Sequence, residues 1–272
     1  LSHGKFPADF FLSTYGDFYK MPTIPLLCTM DISWLSRTSL LIGETAVRQL
    51  NNAHVMVVGL GGVGSYAAEF IARSGIGKMT IIDGDTVDPS NRNRQLPALA
   101  TTHGMSKATL MQERLLAINP ELEIEVVTSF VSPEMVATQL AQRPDYIIDA
   151  IDSITPKLTF IKMAFDSGIP LVSSMGAGAK LDPTRLQVVD ISKTYNCPFA
   201  QQIRKQLKQR HGIRKGIKVV FSPEKAIKES LMLTDGSNYK KSAYGTISYL
   251  PATFGAVAAS VVIRDLMAAT PR

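Results

Sequence analysis

The sequence predicts an α/β protein: one mainly parallel sheet with flanking helices, and a C-terminal extension packed on the same domain. Three observations predict it. Short apolar runs bounded by turn residues recur along the first two thirds of the chain. Segments with apolar residues at helical spacing lie between them, and strands alternating with helices imply right-handed βαβ units. A glycine-rich turn, "VVGLGGVGS" at Val57 to Ser65, joins the first run to the first of those helices. The 272 residues suffice for one large domain or two small ones.

Residues 1 to about 30 show no period, and they lack the basic start and apolar stretch of a signal peptide. Residues 1–33 therefore read as an N-terminal extension, with Met30 a candidate natural start, and 34–272 as the domain. "LIGETAVRQL", Leu41 to Leu50, reads as a short helix. "HVMVVG", His54 to Gly59, is a buried strand, and "GVGSYAAEFIARSG" a helix ended by Gly75. "MTIIDGD", Met79 to Asp85, is the second strand. A helix follows over Ser106 to Ala117 and stops before "NP". Strands at Leu122 to Val127 and Asp145 to Asp152, a helix at Pro156 to Ser167 and the strand "IPLVSS" complete the regular pattern. Beyond about Ala177 it loosens. Extra strands, a basic helix near Phe199 to Arg210 and a flexible loop around Thr234 to Gly245 are expected there.

Composition excludes several classes. Hydrophobic residues make up 45% and charged ones 19%, a globular balance. The longest apolar candidate, Leu250 to Ile263, is short and rich in Ala and Gly, so it reads as a core helix rather than a membrane anchor. Two cysteines, Cys28 and Cys197, exclude a disulfide framework and fit the cytoplasm. The chain has 29 Lys or Arg, 23 Asp or Glu and a net charge of +6. Residues 191–223 hold eight of the cations and no carboxylate, so the remainder is slightly acidic. A localised basic segment suggests an anionic macromolecule.

The glycine turn follows a strand and opens a helix. Gly59, Gly61 and Gly64 there let backbone approach phosphates at a positive helix end, in the Rossmann-like manner. Asp83 ends the next strand, 19 residues after Gly64, and can accept both hydroxyls of an adenosine ribose, whether of NAD or of ATP. "NRNRQ", Asn91 to Gln95, and Lys107 separate the two. Arg94 and Lys107 can neutralise a triphosphate, whereas a pyrophosphate held by backbone amides needs no such pair. Asp152, just past a parallel strand, can hold magnesium. Asp149 serves structure or the same site.

These motifs, "VVGLGGVGS…IIDGDTVDPSNRNRQ…GMSK…DAIDS", resemble the adenylating domain of ubiquitin-activating-like enzymes, the ThiF/MoeB/HesA superfamily. The resemblance implies that Gly59, Gly61, Gly62, Gly64, Asp83 and Asp85 bind ATP. It implies further that Asn91, Arg94, Gln95 and Lys107 contact ribose or phosphates, and that Asp152 binds magnesium. Arg37, in "SRTSLLIG", falls where the family has an arginine reaching the partner subunit's ATP, which implies a homodimer. Such enzymes attack the α-phosphate of ATP with a carboxylate, and the protein positions the attack and neutralises charge.

Members that activate ubiquitin-like proteins usually carry CxxC pairs, and this chain has none. Cys197 reads as a small, partly buried residue at the entrance of the basic segment. "DAIDSITPK", "SMGAGAKLDPTRLQVVDISKT" and "RKQLKQRHGI" look like the tRNA threonylcarbamoyladenosine dehydratase branch. That branch adenylates the threonyl carboxylate of the modified adenosine beside a tRNA anticodon. The base itself then closes a ring, so no enzyme thiol is needed. The resemblance makes tRNA the partner and admits a sulfur-transfer partner. The charge excess of residues 191–223 then assigns phosphodiester contacts to Arg204, Lys205, Lys208, Arg210, Arg214 and Lys215. Two other readings stand beside it: an activator of a ubiquitin-like sulfur carrier, and an NAD-dependent oxidoreductase. The second leaves Arg94, Lys107 and Asp152 unexplained.

Overall fold

A computed structural model describes residues 31–233 and 242–269. Cys28, nearly all of the N-terminal extension and most of the loop expected at 234–245 lie outside the described residues.

The chain opens with α1 (Ser36–Ile42) and α2 (Glu44–Asn51). One helix was expected over Leu41 to Leu50. Gly43 interrupts it at φ +83, and its N–H closes α1 on Ser39 O. Then come β1 (His54–Val58), α3 (Gly64–Arg73), β2 (Lys78–Ile82), α4 (Lys107–Ile118) and β3 (Glu123–Val127). Helix α5 (Pro133–Ala141) is not among the elements the sequence reading anticipates, although Ser132 caps it and Pro133 opens it. β4 (Tyr146–Asp149), α6 (Ile154–Ser167) and β5 (Leu171–Ser174) follow. Strands β2 and β4 end sooner than their apolar runs suggest, at Ile82 and Asp149. Asp83 and Asp152 therefore stand in loops rather than in strands.

The extension adds β6 (Gln187–Asp190), α7 (Pro198–His211) and β7 (Lys218–Phe221) to the same sheet. A small antiparallel pair, β8 (Leu231–Leu233) and β9 (Ser242–Tyr244), precedes the long α8 (Tyr249–Ala268). The seven strands run β3-β2-β1-β4-β5-β7-β6. Every pairing is parallel except β6 with β7. The order reverses between β1 and β4, where loops from both strands leave a crevice at the carboxyl edge.

Both faces of the sheet are covered. Val55 and Val57 of β1 face one core with α3, α4 and α8, and Met56 and Val58 face another with α5, α6 and α7. A side-chain period of two thus buries every residue of β1, as a doubly covered parallel strand requires. Helix α8 is long and apolar enough to cross a membrane by length and composition, but half of its most apolar stretch is buried against the rest of the chain. It is the core helix the sequence predicts. Tyr146 Oη donates to Asp265 Oδ2 at 2.6 Å, and Lys218 pairs with the same carboxylate, joining β4, β7 and α8.

α8 lies so close to α3 that a Cβ on Gly255 would stand 2.4 Å from Val63 O. Gly255→Ala is therefore expected to destabilise the chain by about 1–3 kcal/mol, because packed helices must separate to admit the methyl. A denaturant melt with an unchanged slope and a lower midpoint is the expected result.

Candidate active site

The crevice between β1 and β4 is built first from backbone. Gly59 follows β1 at φ +87, and a Cβ there would meet Ala150 O at 2.9 Å. A Cβ on Gly64 would stand 1.7 Å from Gly59 O, so residue 64 must be glycine. These two glycines are required by the chain's own packing. Gly61 is different: its Cβ position has only Gln95 Nε2 nearby, at 3.8 Å, and so faces open space. No side chain caps the start of α3, which leaves a helix N-terminus for an anion.

Asp83 ties the second strand to this loop. Its Oδ2 accepts Leu60 N–H at 2.6 Å and its Oδ1 accepts Asp85 N–H at 2.8 Å. Burial pushes its pKa up, against the pull of Lys107 and the two amides. Each carboxylate oxygen keeps a further lone pair for ribose hydroxyls. Asp85, expected to bind nucleotide, pairs with Lys107: Lys107 Nζ lies 3.0 Å from Asp85 Oδ2, and its side chain is only 6% exposed. Lys107 opens α4 behind the capping Ser106, so the ammonium is fixed in place.

The turn at 89–93 sets Arg94. Asp88 and Asn91 cap it reciprocally, with Asn91 Oδ1 accepting Asp88 N–H at 3.1 Å. The buried Asn91 thus supports the loop with its side-chain oxygen. Arg94 Nη1 donates to Ser90 O at 3.0 Å and Asn93 Oδ1 at 2.8 Å. Burial lowers the Arg94 pKa, and Asp152 and Asp88 act against it. Gln95 turns toward the glycine loop, and its buried Oε1 has no hydrogen-bond partner among the described residues.

Across the crevice, Asp152 is exposed on the turn after β4, in the field of both Arg94 and Lys157. No cluster of three His, Cys, Asp or Glu stands among the described residues. A single carboxylate with substrate phosphates is the usual magnesium arrangement, and Asp152 fits it. The sequence reading missed Lys157. It is fully buried and lies 2.8 Å from the equally buried Asp149 Oδ2. The open face at Gly61, the unpartnered Gln95 oxygen and two cations against one exposed carboxylate fit a magnesium nucleotide.

The structure does not join Arg37 to this group; it is exposed on α1, which packs on α2 and on the turn Ser33–Leu35. Of the basic segment, Lys205, Lys208, Arg210, Arg214 and Lys215 are exposed, while α7 buries Ala200, Ile203 and Leu207. Arg204, expected to contact phosphodiester, differs from these in exposure. It is half-buried, and its Nη1 donates to Thr194 O and Oγ1. Lys218 pairs with Asp265. Cys197 is buried at the start of α7, beside Lys180. Lys180 Nζ donates to Gly176 O at 3.1 Å and Ser222 O at 2.9 Å, and burial lowers its pKa.

Residues 35–271 match the model of the ThiF family, and the chain belongs to that family. It is 40% identical over 259 residues to the tRNA threonylcarbamoyladenosine dehydratase of Escherichia coli, covering 88% of this chain and 97% of that protein. The Bacillus subtilis protein of the same name is 40% identical over 239 residues, with 85% and 94% covered. The crystal structure of the E. coli enzyme, TcdA, in complex with ATP superposes with a TM-score of 0.80 at 41% identity, covering 87% of this chain and 95% of that one.

An ionised Asp83 would accept ribose hydroxyls more strongly than its protonated form, and burial holds its pKa above the ordinary value. ATP affinity should therefore fall on acidification at a higher pH than for an ordinary aspartate. Asp83→Asn should bind weakly and lack that step. Nucleotide titrations between about pH 4 and 8 check this, the Asn variant reporting the titration of ATP itself.

Proposed function

We propose that this chain is an ATP-dependent tRNA-modifying enzyme. It adenylates the threonyl carboxylate of threonylcarbamoyladenosine in tRNA and then closes the modified base into its cyclic form, with net loss of water. The observation that carries the reading is the convergence of Asp83, Arg94, Gln95, Lys107 and Asp152 on the glycine loop. The near full-length identity to dehydratases of that name supports it.

The chain's residues do the following. The glycine loop and the start of α3 receive the phosphates, and Asp83 holds the ribose. Lys107, fixed by Asp85, and Arg94, fixed by Ser90 and Asn93, face the charge that builds on phosphate during attack. Both are held before the reaction, so little reorganisation is needed. Asp152 holds magnesium, which supplies charge neutralisation. The substrate's own nucleophile then attacks the activated acyl carbon and displaces AMP, so orientation replaces an enzyme thiol. The buried Cys197 is consistent with that. Arg37 reaches the nucleotide of a second copy across a homodimer. The exposed cations of α7 and the following turn hold the tRNA backbone in the cytoplasm, and a sulfur-transfer partner is admitted but not required.

Pyrophosphate release from ATP tests the reaction, with modified tRNA, a ubiquitin-like carrier protein, or neither added. Release only with tRNA is expected, and release only with the carrier overturns the reading. Asp152→Ala and Arg37→Ala should each be inactive in this assay. Mixed with subunit exchange established, they should regain part of the activity, since one site per heterodimer is intact. No recovery removes the shared site.

The RNA contact has its own test. Lys205, Lys208 and Arg210 replaced by Glu should weaken tRNA binding and flatten its salt dependence, because fewer counterions are released. ATP affinity should stay at the parent value, since the glycine loop holds the nucleotide. Parent-like tRNA binding across several salt concentrations would remove α7 from the interface.

A further inference from the structure

We infer that Lys157 is a positioning residue: its buried ammonium fixes the turn that carries Asp152 and joins that turn to the first turn of the basic helix α7. The inference rests on the assignment of Asp152 to magnesium.

At its start the turn Ala150–Asp152 is held by the sheet, where Ala150 N–H donates to Val58 O at 2.8 Å, and at its end Ser153 Oγ donates to Asp152 Oδ1 at 3.4 Å. Ile151 N–H donates to Asp149 Oδ1 at 3.0 Å, and Lys157 Nζ donates to Ile151 O at 3.0 Å. One residue thus grips the peptide immediately before Asp152 while pairing with Asp149. Asp149 is held in turn by Ser173 Oγ, which donates to Oδ2 at 2.7 Å. Ala150 O is the atom that a Cβ on Gly59 would strike. Ala150 borders the glycine loop but is held there by the sheet, so Lys157 bears on the carboxylate end of the turn.

Lys157 also reaches toward the extension. Its Nζ lies 5.8 Å from the centre of the Phe199 ring, in the first turn of α7. Phe199 in turn crowds Gly176, whose Cβ position is 3.2 Å from Phe199 Cβ. The cation stands where the nucleotide crevice and the RNA-facing helix meet. A buried charge pair adds little net stability over apolar residues of the same volume. A pair placed beneath the metal-binding turn instead serves geometry, as groups that orient a ligand carboxylate do elsewhere.

The test removes both charges together, Asp149→Asn with Lys157→Met, so that no unpaired charge stays buried. ATP binding is followed by calorimetry, once with EDTA and once with saturating magnesium. Without metal the affinity should match the parent. With metal it should be about tenfold weaker, the usual cost of losing such support. A residue needed only for packing would weaken both equally or neither. Asp152→Ala is the control: it should lose the magnesium-dependent gain on its own. If Asp152→Ala keeps that gain, the magnesium assignment falls and takes the inference with it. If Asp152→Ala loses it and the double variant keeps it, the inference alone is overturned. Should the double variant not fold, Phe199→Leu decides. A smaller loss confined to the magnesium series supports the coupling, and parent-like binding in both series overturns it.

Discussion

The approach of Gly59 O to Gly64 governs this molecule. With 1.7 Å between that oxygen and a Cβ at residue 64, the chain can leave β1, turn and enter α3 only if residue 64 has no side chain. The turn places the start of α3 at the carboxyl edge of the sheet, beside the point where strand order reverses. Ala150, at the end of the neighbouring strand, leans on Gly59 from the other side. The two strands therefore share one crevice wall made of backbone. Everything charged around it is then arranged in relation to that wall.

The charges come as held cations. Lys107 is fixed by Asp85, and Arg94 by a carbonyl and an amide oxygen of its own turn. Lys157 is fixed by Asp149 beneath the surface. A cation held by a short protein contact loses little freedom when a phosphate arrives, so more of the Coulomb attraction survives as binding. Asp83 works in the opposite sense. Its burial raises its pKa, and two backbone amides and Lys107 offset that penalty.

Much of this was legible in the sequence, and the limit has a physical origin. The glycine spacing, Asp83 just past β2 and Lys107 at the start of α4 stand beside element ends, where local chain geometry alone brings a side chain to the carboxyl edge of the sheet. Residues whose role depends on a distant partner were not legible. Nothing local shows that Lys107, 22 residues on, returns to Asp85. Likewise, only the folded extension brings Arg204 to Thr194. Lys157 left a signal that went unused. It occupies the apolar stripe of α6 with Phe160, Ile161 and Ala164, and a lysine on such a stripe implies a buried partner.

The basic segment shows why a charge count and a charged surface differ. Of its eight cations, Lys218 is paired with Asp265 and Arg204 is turned onto Thr194. What projects from the outer side of α7 and the turn after it is a smaller set, Lys205, Lys208, Arg210, Arg214 and Lys215. The segment contains no carboxylate, so none of these has an acidic neighbour in sequence. A buried stripe of Ala200, Ile203 and Leu207 holds the helix against α6, so the charges project from a rigid support. Rigid cations spaced along a helix suit the regular charges of a phosphodiester chain better than a flexible run would, because less side-chain and backbone freedom is lost on contact. The same first turn that anchors this helix lies over Lys157, and through it over the Asp152 turn. The helix proposed to face RNA and the turn proposed to hold magnesium thus meet at one buried cation.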